Sequence, residues 1–247
     1  MPSHPRTTLW LWPTGLFPRR ILYFLRIKNI TTSILSSHNI TIIPVTMTPT
    51  YALESLPGFE SRPGNTTLPV MRVGETWIYE SLAIMEYLEE LLGKDGGAAW
   101  DIRGDSALKK AHTRDVLSLL GDAVVWSGVA FIHSEASSTS WSGLTASQMS
   151  ASAAAHADKK FRVLMARLEY GVSQRQGKRL SGGEQVTLAD ICLVSQVEYM
   201  TKYGMQWLDG WDMLGKWYEG IKGEEWVLGK EVLEGVEGSG RWEDALG

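Results

Sequence analysis

Between Val70 and Tyr79 the chain reads as a tight hairpin, and a helix starts immediately after it. Residues 70–73 and 76–79 are short strand-forming runs separated by Gly74-Glu75. A glycine at the first central position suits a type II′ turn, whose positive φ matches the twist of the flanking strands. Ser81 then opens a helix that carries Ile84, Leu88, Leu91 and Leu92 on one face. Gly93 closes it, because glycine tolerates the left-handed conformation that follows a helix end.

The residues upstream extend this pattern. Residues 7–12 are bulky and apolar, as in a buried strand, and Pro13-Thr14-Gly15 breaks the run. Pro18 suits the first turn of a helix, where its missing N–H costs nothing, and Ile21, Leu22, Phe24 and Leu25 give that helix an apolar face. Residues 40–45 are β-branched and predict a second strand. Residues 46–67 hold three prolines and two glycines and predict loop with at most a short helix. The glycine-rich stretch 94–104 reads as a linker. Beyond it the strand signals stop.

Three helical repeats follow: Val116, Leu119, Leu120, Ala123; Phe161, Leu164, Met165, Leu168; and Leu214, Trp217, Tyr218, Ile221. Thr187 and Asp190 have capping-box spacing ahead of an apolar run to Met200. The tail from Gly229 is rich in Gly and Glu and is expected to fray. The order predicts an α/β domain over residues 1–93 and an all-helical domain over residues 105–247.

Bulk properties narrow the function. The 247 residues carry a formal net charge of −4, which excludes a broad basic footprint for nucleic acid. The apolar N-terminal stretch is cut by Arg19 and Arg20 and is too short to span a membrane. The single cysteine, Cys192, excludes an intrachain disulfide and fits a reducing, cytoplasmic compartment. Its apolar neighbours Ile191 and Leu193 favour packing over catalysis. Glycosylation sequons at Asn29, Asn39 and Asn65 point weakly the other way. His112, His133 and His156 have no metal-ligand spacing, so no metal site is expected.

Two places carry candidate chemistry. Pro69 stands at the mouth of a strand, where it cannot donate to the ladder. It is either a plain edge proline or a cis proline that turns the Leu68 backbone outward, free to pair with a peptide-like ligand. Glu80 and Ser81 stand where the hairpin meets the helix. They are either a capping serine beside a solvated acid or a receptor for an α-amino acid head group. In the second case helix N–H groups and the Ser81 hydroxyl take the carboxylate, and Glu80 takes the ammonium.

The sequence Leu68-Pro69-Val70-Met71, with Tyr79-Glu80-Ser81-Leu82-Ala83-Ile84-Met85-Glu86-Tyr87-Leu88-Glu89, resembles the signature of the glutathione S-transferase N-terminal domain. Leu180-Ser181-Gly182, Val186-Thr187-Leu188-Ala189-Asp190-Ile191 and the segment 216–221 resemble that family's C-terminal helices. The resemblance implies a thioredoxin-like N-terminal domain plus an all-α C-terminal domain, and usually a homodimer. It implies a cis Pro69, with the Leu68 backbone on the cysteinyl part of glutathione. Glu80 and Ser81 then hold the γ-glutamyl end, Thr67 is an added contact, and Asp190 is structural.

The first turn departs from the family. Family members place a Tyr, Ser or Cys near the start of the first helix, whereas this chain has Trp12-Pro13-Thr14-Gly15-Leu16-Phe17-Pro18-Arg19-Arg20. Thr14 is the nearest hydroxyl, with a turn residue bonding its own backbone as the plain alternative. The charge of Arg19 and the helix N–H groups offer another way to lower a thiol pKa. Phe17, Trp126 and Trp207 are candidate walls for a hydrophobic electrophile, with core packing the alternative for the two tryptophans.

The resulting expectation is a glutathione transferase that activates the thiol for attack on a hydrophobic electrophile. The first turn looks most like fungal members. That makes a glutathione-dependent cis/trans isomerase or tailoring enzyme of secondary metabolism one alternative. A non-catalytic interaction module is the other.

Overall fold

The computed structural model describes residues 4–247. Its first half is built on β1 (Thr7–Leu11), α1 (Leu16–Ile27), α2 (Thr32–Ser37), β2 (Ile40–Met47), β3 (Leu53–Ser55), β4 (Val70–Val73), β5 (Thr76–Ile78) and α3 (Ser81–Leu92). The strands form one sheet in the order β3-β2-β1-β4-β5. β1 runs parallel to β2 and antiparallel to β4, with Trp10 opposite both Ile43 and Val70. All of β1 is buried, so its apolar run serves both sheet faces. Leu9 and Leu11 pack with α1 and α3 on one side. Trp10 joins Ile43, Val45, Leu68 and Val70 on the other.

The hairpin forms as its sequence dictates. Val73 pairs with Thr76, and Gly74 takes φ +56. Glu75 keeps a negative φ, the combination a type II′ turn requires. The stretch 46–67 differs from expectation. It contains no helix and instead folds Leu53–Ser55 back as an antiparallel edge strand on β2. The three sequon asparagines share a local cause. Asn29, Asn39 and Asn65 all hold positive φ, between 53 and 58, a region Asn tolerates because its short amide bonds the local backbone.

The second half contains α4 (Ala107–Ser134), α5 (Ala151–Ser173), α6 (Leu188–Thr201), α7 (Asp212–Ile221), α8 (Lys230–Ser239) and α9 (Glu243–Leu246). α4 is long and apolar enough, by length and composition alone, to cross a membrane. Here it packs along α5 and α6. At the head of α6 the capping box forms, with Asp190 accepting from the Thr187 amide at 2.8 Å. Asp190 also accepts from the Leu180 amide and the Trp217 indole, each at 3.0 Å, and so ties α6 to α7.

The tail corrects the expectation of fraying. It forms α8 and α9 and returns to the α/β half. Leu233, Val236, Trp242, Ala245 and Leu246 are buried. The Trp242 indole donates to the Ile42 carbonyl at 3.1 Å, Arg26 donates to the Ala245 carbonyl at 2.9 Å, and the Thr32 amide donates to the Gly247 carbonyl at 3.2 Å. The glycines misled because composition carries no information about long-range partners. Lys28, at the end of α1, is fully buried. It binds Glu89 at 3.1 Å and the Trp100 carbonyl at 2.5 Å, which anchors the linker to α1 and α3.

Candidate functional site

The α3 N-terminus, the Leu68-Pro69 loop and the first turn of α1 meet along one end of the sheet. The Leu68–Pro69 bond is cis, so of the two readings of Pro69 the cis one applies. Among the described residues no hydrogen bond engages the Leu68 amide or carbonyl. Leu68 anchors its side chain in the core of the second sheet face, leaving the backbone as its polar edge. Thr67, next to it, is exposed.

The start of α3 is not capped by a side chain. Glu80 is the N-cap residue and makes no capping bond, and the first amide with an intrahelical partner is that of Ile84, to the Glu80 carbonyl. The amides of Ser81, Leu82 and Ala83 are therefore uncommitted, and they carry the positive end of the helix dipole. Ser81 is not the cap either. It is the first helical residue, buried, and its hydroxyl oxygen accepts from Arg20 Nη1 at 3.4 Å. The hydroxyl proton has no partner of its own among the described residues. Glu80 is exposed, and its carboxylate is unpaired among the described residues. Free N–H groups, a hydroxyl proton and a free carboxylate within two residues complement a zwitterionic head group.

The first turn has a different character. Thr14 is buried, and its hydroxyl donates to Glu237 Oε2 of α8 at 2.6 Å. The same carboxylate accepts from the Thr46 hydroxyl at 3.1 Å and the Met47 amide at 3.4 Å. In this structure the one proton of Thr14, the expected donor to a thiolate, is given to a carboxylate. Arg19 is also turned inward. It is buried and braces the Thr14 carbonyl through Nη2 at 3.2 Å, while its Nε has no partner. Tyr23, one turn on, is fully buried. Burial pushes its phenol well above the ordinary value, with the Arg19 charge pulling part of the way back, so it stays neutral.

Of the candidate walls, Phe17 is exposed beside the site, with the Arg20 guanidinium 4.7 Å from its ring centre. Trp126 on α4 meets His156 of α5 edge-on at 5.9 Å. Trp207 is buried against Phe161, 5.0 Å between ring centres, and packs in the hydrophobic core. Cys192 is buried in α6, and burial raises its thiol pKa, which suits packing. His112 bonds the Ser181 carbonyl, and His133 accepts from the Ser150 amide. Among the described residues no cluster of His, Cys, Asp and Glu could hold a metal ion.

Sequence reading missed two members of this region. Glu237 lies in the tail expected to fray. Arg20, adjacent to the residue that was singled out, is the one whose guanidinium reaches Ser81. An adjacent pair of arginines gives no signal of which one faces the site.

A thioredoxin-like sheet domain carrying a cis-proline loop, followed by a helical domain, defines the glutathione S-transferase fold. The comparisons with known proteins agree. The family description "Glutathione S-transferase, N-terminal domain" matches residues 14–91, and "Glutathione S-transferase, C-terminal domain" matches residues 131–225. Together these matches account for well over half of the chain, and the protein belongs to the glutathione S-transferase family.

Solved structures share the fold at low identity. A glutathione S-transferase from Methylobacillus flagellatus KT with GSH bound is 15% identical, with a TM-score of 0.64 over 90% of this chain and 96% of that chain. Glutathione transferase F7 from Populus trichocarpa is 16% identical, with a TM-score of 0.63 over 94% and 99%. Gtt2 from Saccharomyces cerevisiae is 20% identical, with a TM-score of 0.59 over 89% and 98%. No curated protein matches the sequence.

Proposed function

We propose that this protein binds glutathione along Leu68, Glu80 and Ser81 and presents its thiol to a hydrophobic electrophile. The observation that carries the reading is the uncommitted polar set at the α3 N-terminus, beside a Leu68 backbone with no partner. The γ-glutamyl carboxylate takes the α3 amides and the Ser81 proton, its ammonium takes Glu80, and the cysteinyl backbone pairs with Leu68. Thr67 lies along the same edge. Deprotonated sulfur then forms a bond to an electrophilic carbon. Protonation of the resulting carbanion gives a conjugate. Rotation followed by expulsion of the thiolate gives a cis/trans isomer and returns glutathione.

The Thr14–Glu237 bond favours a second reading, in which the protein handles glutathione without ordinary conjugation. This covers an isomerase or tailoring enzyme of fungal secondary metabolism, or a non-catalytic module. A hydroxyl that already donates to a carboxylate offers no proton to a thiolate, and a nearby carboxylate raises a thiol pKa. A homodimer is supported by apolar side chains exposed on α4 and α5, among them Val125, Val163 and Tyr170. A cytoplasmic setting is supported by the single buried thiol.

Retention on immobilised glutathione tests the reading, followed by titration of wild type and Ser81→Ala. Binding by the wild type that falls roughly tenfold in Ser81→Ala is expected, the loss typical of a hydrogen bond to a charged group. Folded wild-type protein that is not retained rejects the proposal. Thiol consumption against product geometry then separates conjugation from isomerisation.

A further inference from the structure

A cleft of about 500 Å³ lies where the C-terminal end of α3 meets the segment that joins the two halves. Glu89 lines it, and about 12 Å of helix separates Glu89 from Ser81 at the opposite end of α3. Glu89 is 9% exposed. Its Oε1 accepts from Lys28 Nζ and from the Ile102 amide, each at 3.1 Å. Its Oε2 is buried and accepts from no group among the described residues. A carboxylate oxygen taken out of water without a donor bears its full desolvation cost, and such acceptors are few in folded proteins.

Oε2 lies against Gly93, which lines the same cleft. A methyl group on Gly93 would stand 2.7 Å from it, so no side chain covers the oxygen on that side. The lining carries four acids, Glu89, Glu90, Asp95 and Asp101, against two bases, Lys94 and Arg103. Arg103 is committed to Asp101 at 2.8 Å and to Glu90 at 2.5 Å. Lys94 is exposed and makes no ion pair among the described residues. The field of the cleft therefore favours a cationic donor for Oε2. A metal ion does not match it. Among the described residues no cluster of His, Cys, Asp and Glu could hold one, and the volume far exceeds a single ion. Leu91, Ala99 and Trp100 add apolar surface that suits a hydrocarbon chain.

We infer that this cleft binds a linear aliphatic diamine. One ammonium donates to Glu89 Oε2, the hydrocarbon chain lies on Leu91 and Trp100, and the second ammonium stays by the exposed carboxylates of Glu90 and Asp95. The ligand ties α3 to the joining segment, at the far end of α3 from Ser81. The inference does not depend on the glutathione reading.

Putrescine is the probe, and the uncharged diol of the same length is the control. Calorimetric titration of the whole protein at low ionic strength is expected to show putrescine binding at least about tenfold tighter than the diol. Glu89→Gln is expected to weaken putrescine roughly tenfold. That variant also loses the pair with Lys28, so a second variant leaves the buried groups intact. Lys94→Glu changes an exposed residue and breaks no ion pair. It is expected to tighten putrescine roughly 3- to 10-fold at low salt, with a smaller gain at high salt. In amide-detected NMR the largest putrescine-induced shifts are expected at the Gly93 amide and the Trp100 indole.

No detectable putrescine binding overturns the inference, and so does a diol that binds as well. A folded Glu89→Gln of unchanged affinity does the same, as does a Lys94→Glu that fails to tighten putrescine. Shifts confined to residues outside 89–103 also overturn it, because acids elsewhere on the chain then account for the binding.

Discussion

The bond between Thr14 and Glu237 joins the first turn of the α/β half to a helix near the end of the chain, and its worth can be measured. At 2.6 Å it is a short hydroxyl–carboxylate bond, a class worth about 1.5–3 kcal/mol when intact. Thr14→Val keeps the side-chain shape and removes the donor. Glu237 then retains its contacts to Thr46 and Met47 at 3.1 and 3.4 Å. Glu237 is half-buried, so water replaces part of what is lost, and a cost of about 1–2 kcal/mol is expected. Glu237→Gln should cost a similar amount.

If the two side chains act mainly on each other, the double variant loses about 1.5–2.5 kcal/mol rather than the sum, a coupling of about 1 kcal/mol. Each single loss corresponds to a fall in Tm of roughly 2–4 °C per kcal/mol for a chain of this size. Urea unfolding followed in parallel by tryptophan fluorescence and far-UV circular dichroism reads all four corners of the cycle. Additivity within about 0.3 kcal/mol refutes the pairing. A Thr14→Val protein of unchanged stability whose turnover with glutathione falls more than about tenfold also refutes it. That result would place the hydroxyl on the sulfur rather than on the carboxylate.

Two further outcomes follow from the fold. Trp242→Ala removes a buried indole and its bond to the Ile42 carbonyl. A loss of about 3–5 kcal/mol in urea unfolding is expected, whereas a loss below about 1 kcal/mol would mean that the tail is not part of the core. Burial tends to push the Asp101 carboxyl up, but hydrogen bonds from Arg103 and Lys110 outweigh it and hold the pKa well below the usual carboxylate range. A lowered folded pKa gives stability that is present above the unfolded value, about 4, and is lost as pH falls through the folded value. Asp101→Asn should therefore flatten the acid limb of a Tm-against-pH curve, and an unchanged limb would refute the assignment.

Much of this fold was readable because its determinants are local. The Gly74-Glu75 turn, the apolar face of α3 and the Thr187/Asp190 box are each fixed by residues within a few positions of one another, where backbone φ and helical periodicity act directly. The central strand was readable because burial on both faces leaves an uninterrupted apolar run. β3 was not, since three residues give no period, and its existence depends on register with β2. The tail was misread for a related reason: Leu233, Val236 and Trp242 are spaced by glycines and acids, and their partners lie some two hundred residues upstream.

The candidate site divides along the same line. Glu80 and Ser81 were legible because a helix start is itself the chemical feature, and Pro69 because proline at a strand mouth has few structural alternatives. The contacts that join other elements to the candidate site span long sequence separations. Arg20 and Ser81 are 61 residues apart, and Thr14 and Glu237 are 223 apart. No local pattern distinguishes Arg19, which braces its own turn, from Arg20, which faces α3, because that choice is made by the packing of α1 against α6. The consequence is chemical as well as spatial. A hydroxyl found by sequence near the first helix is a donor to sulfur only if nothing stronger accepts its proton, and in this chain Glu237 does.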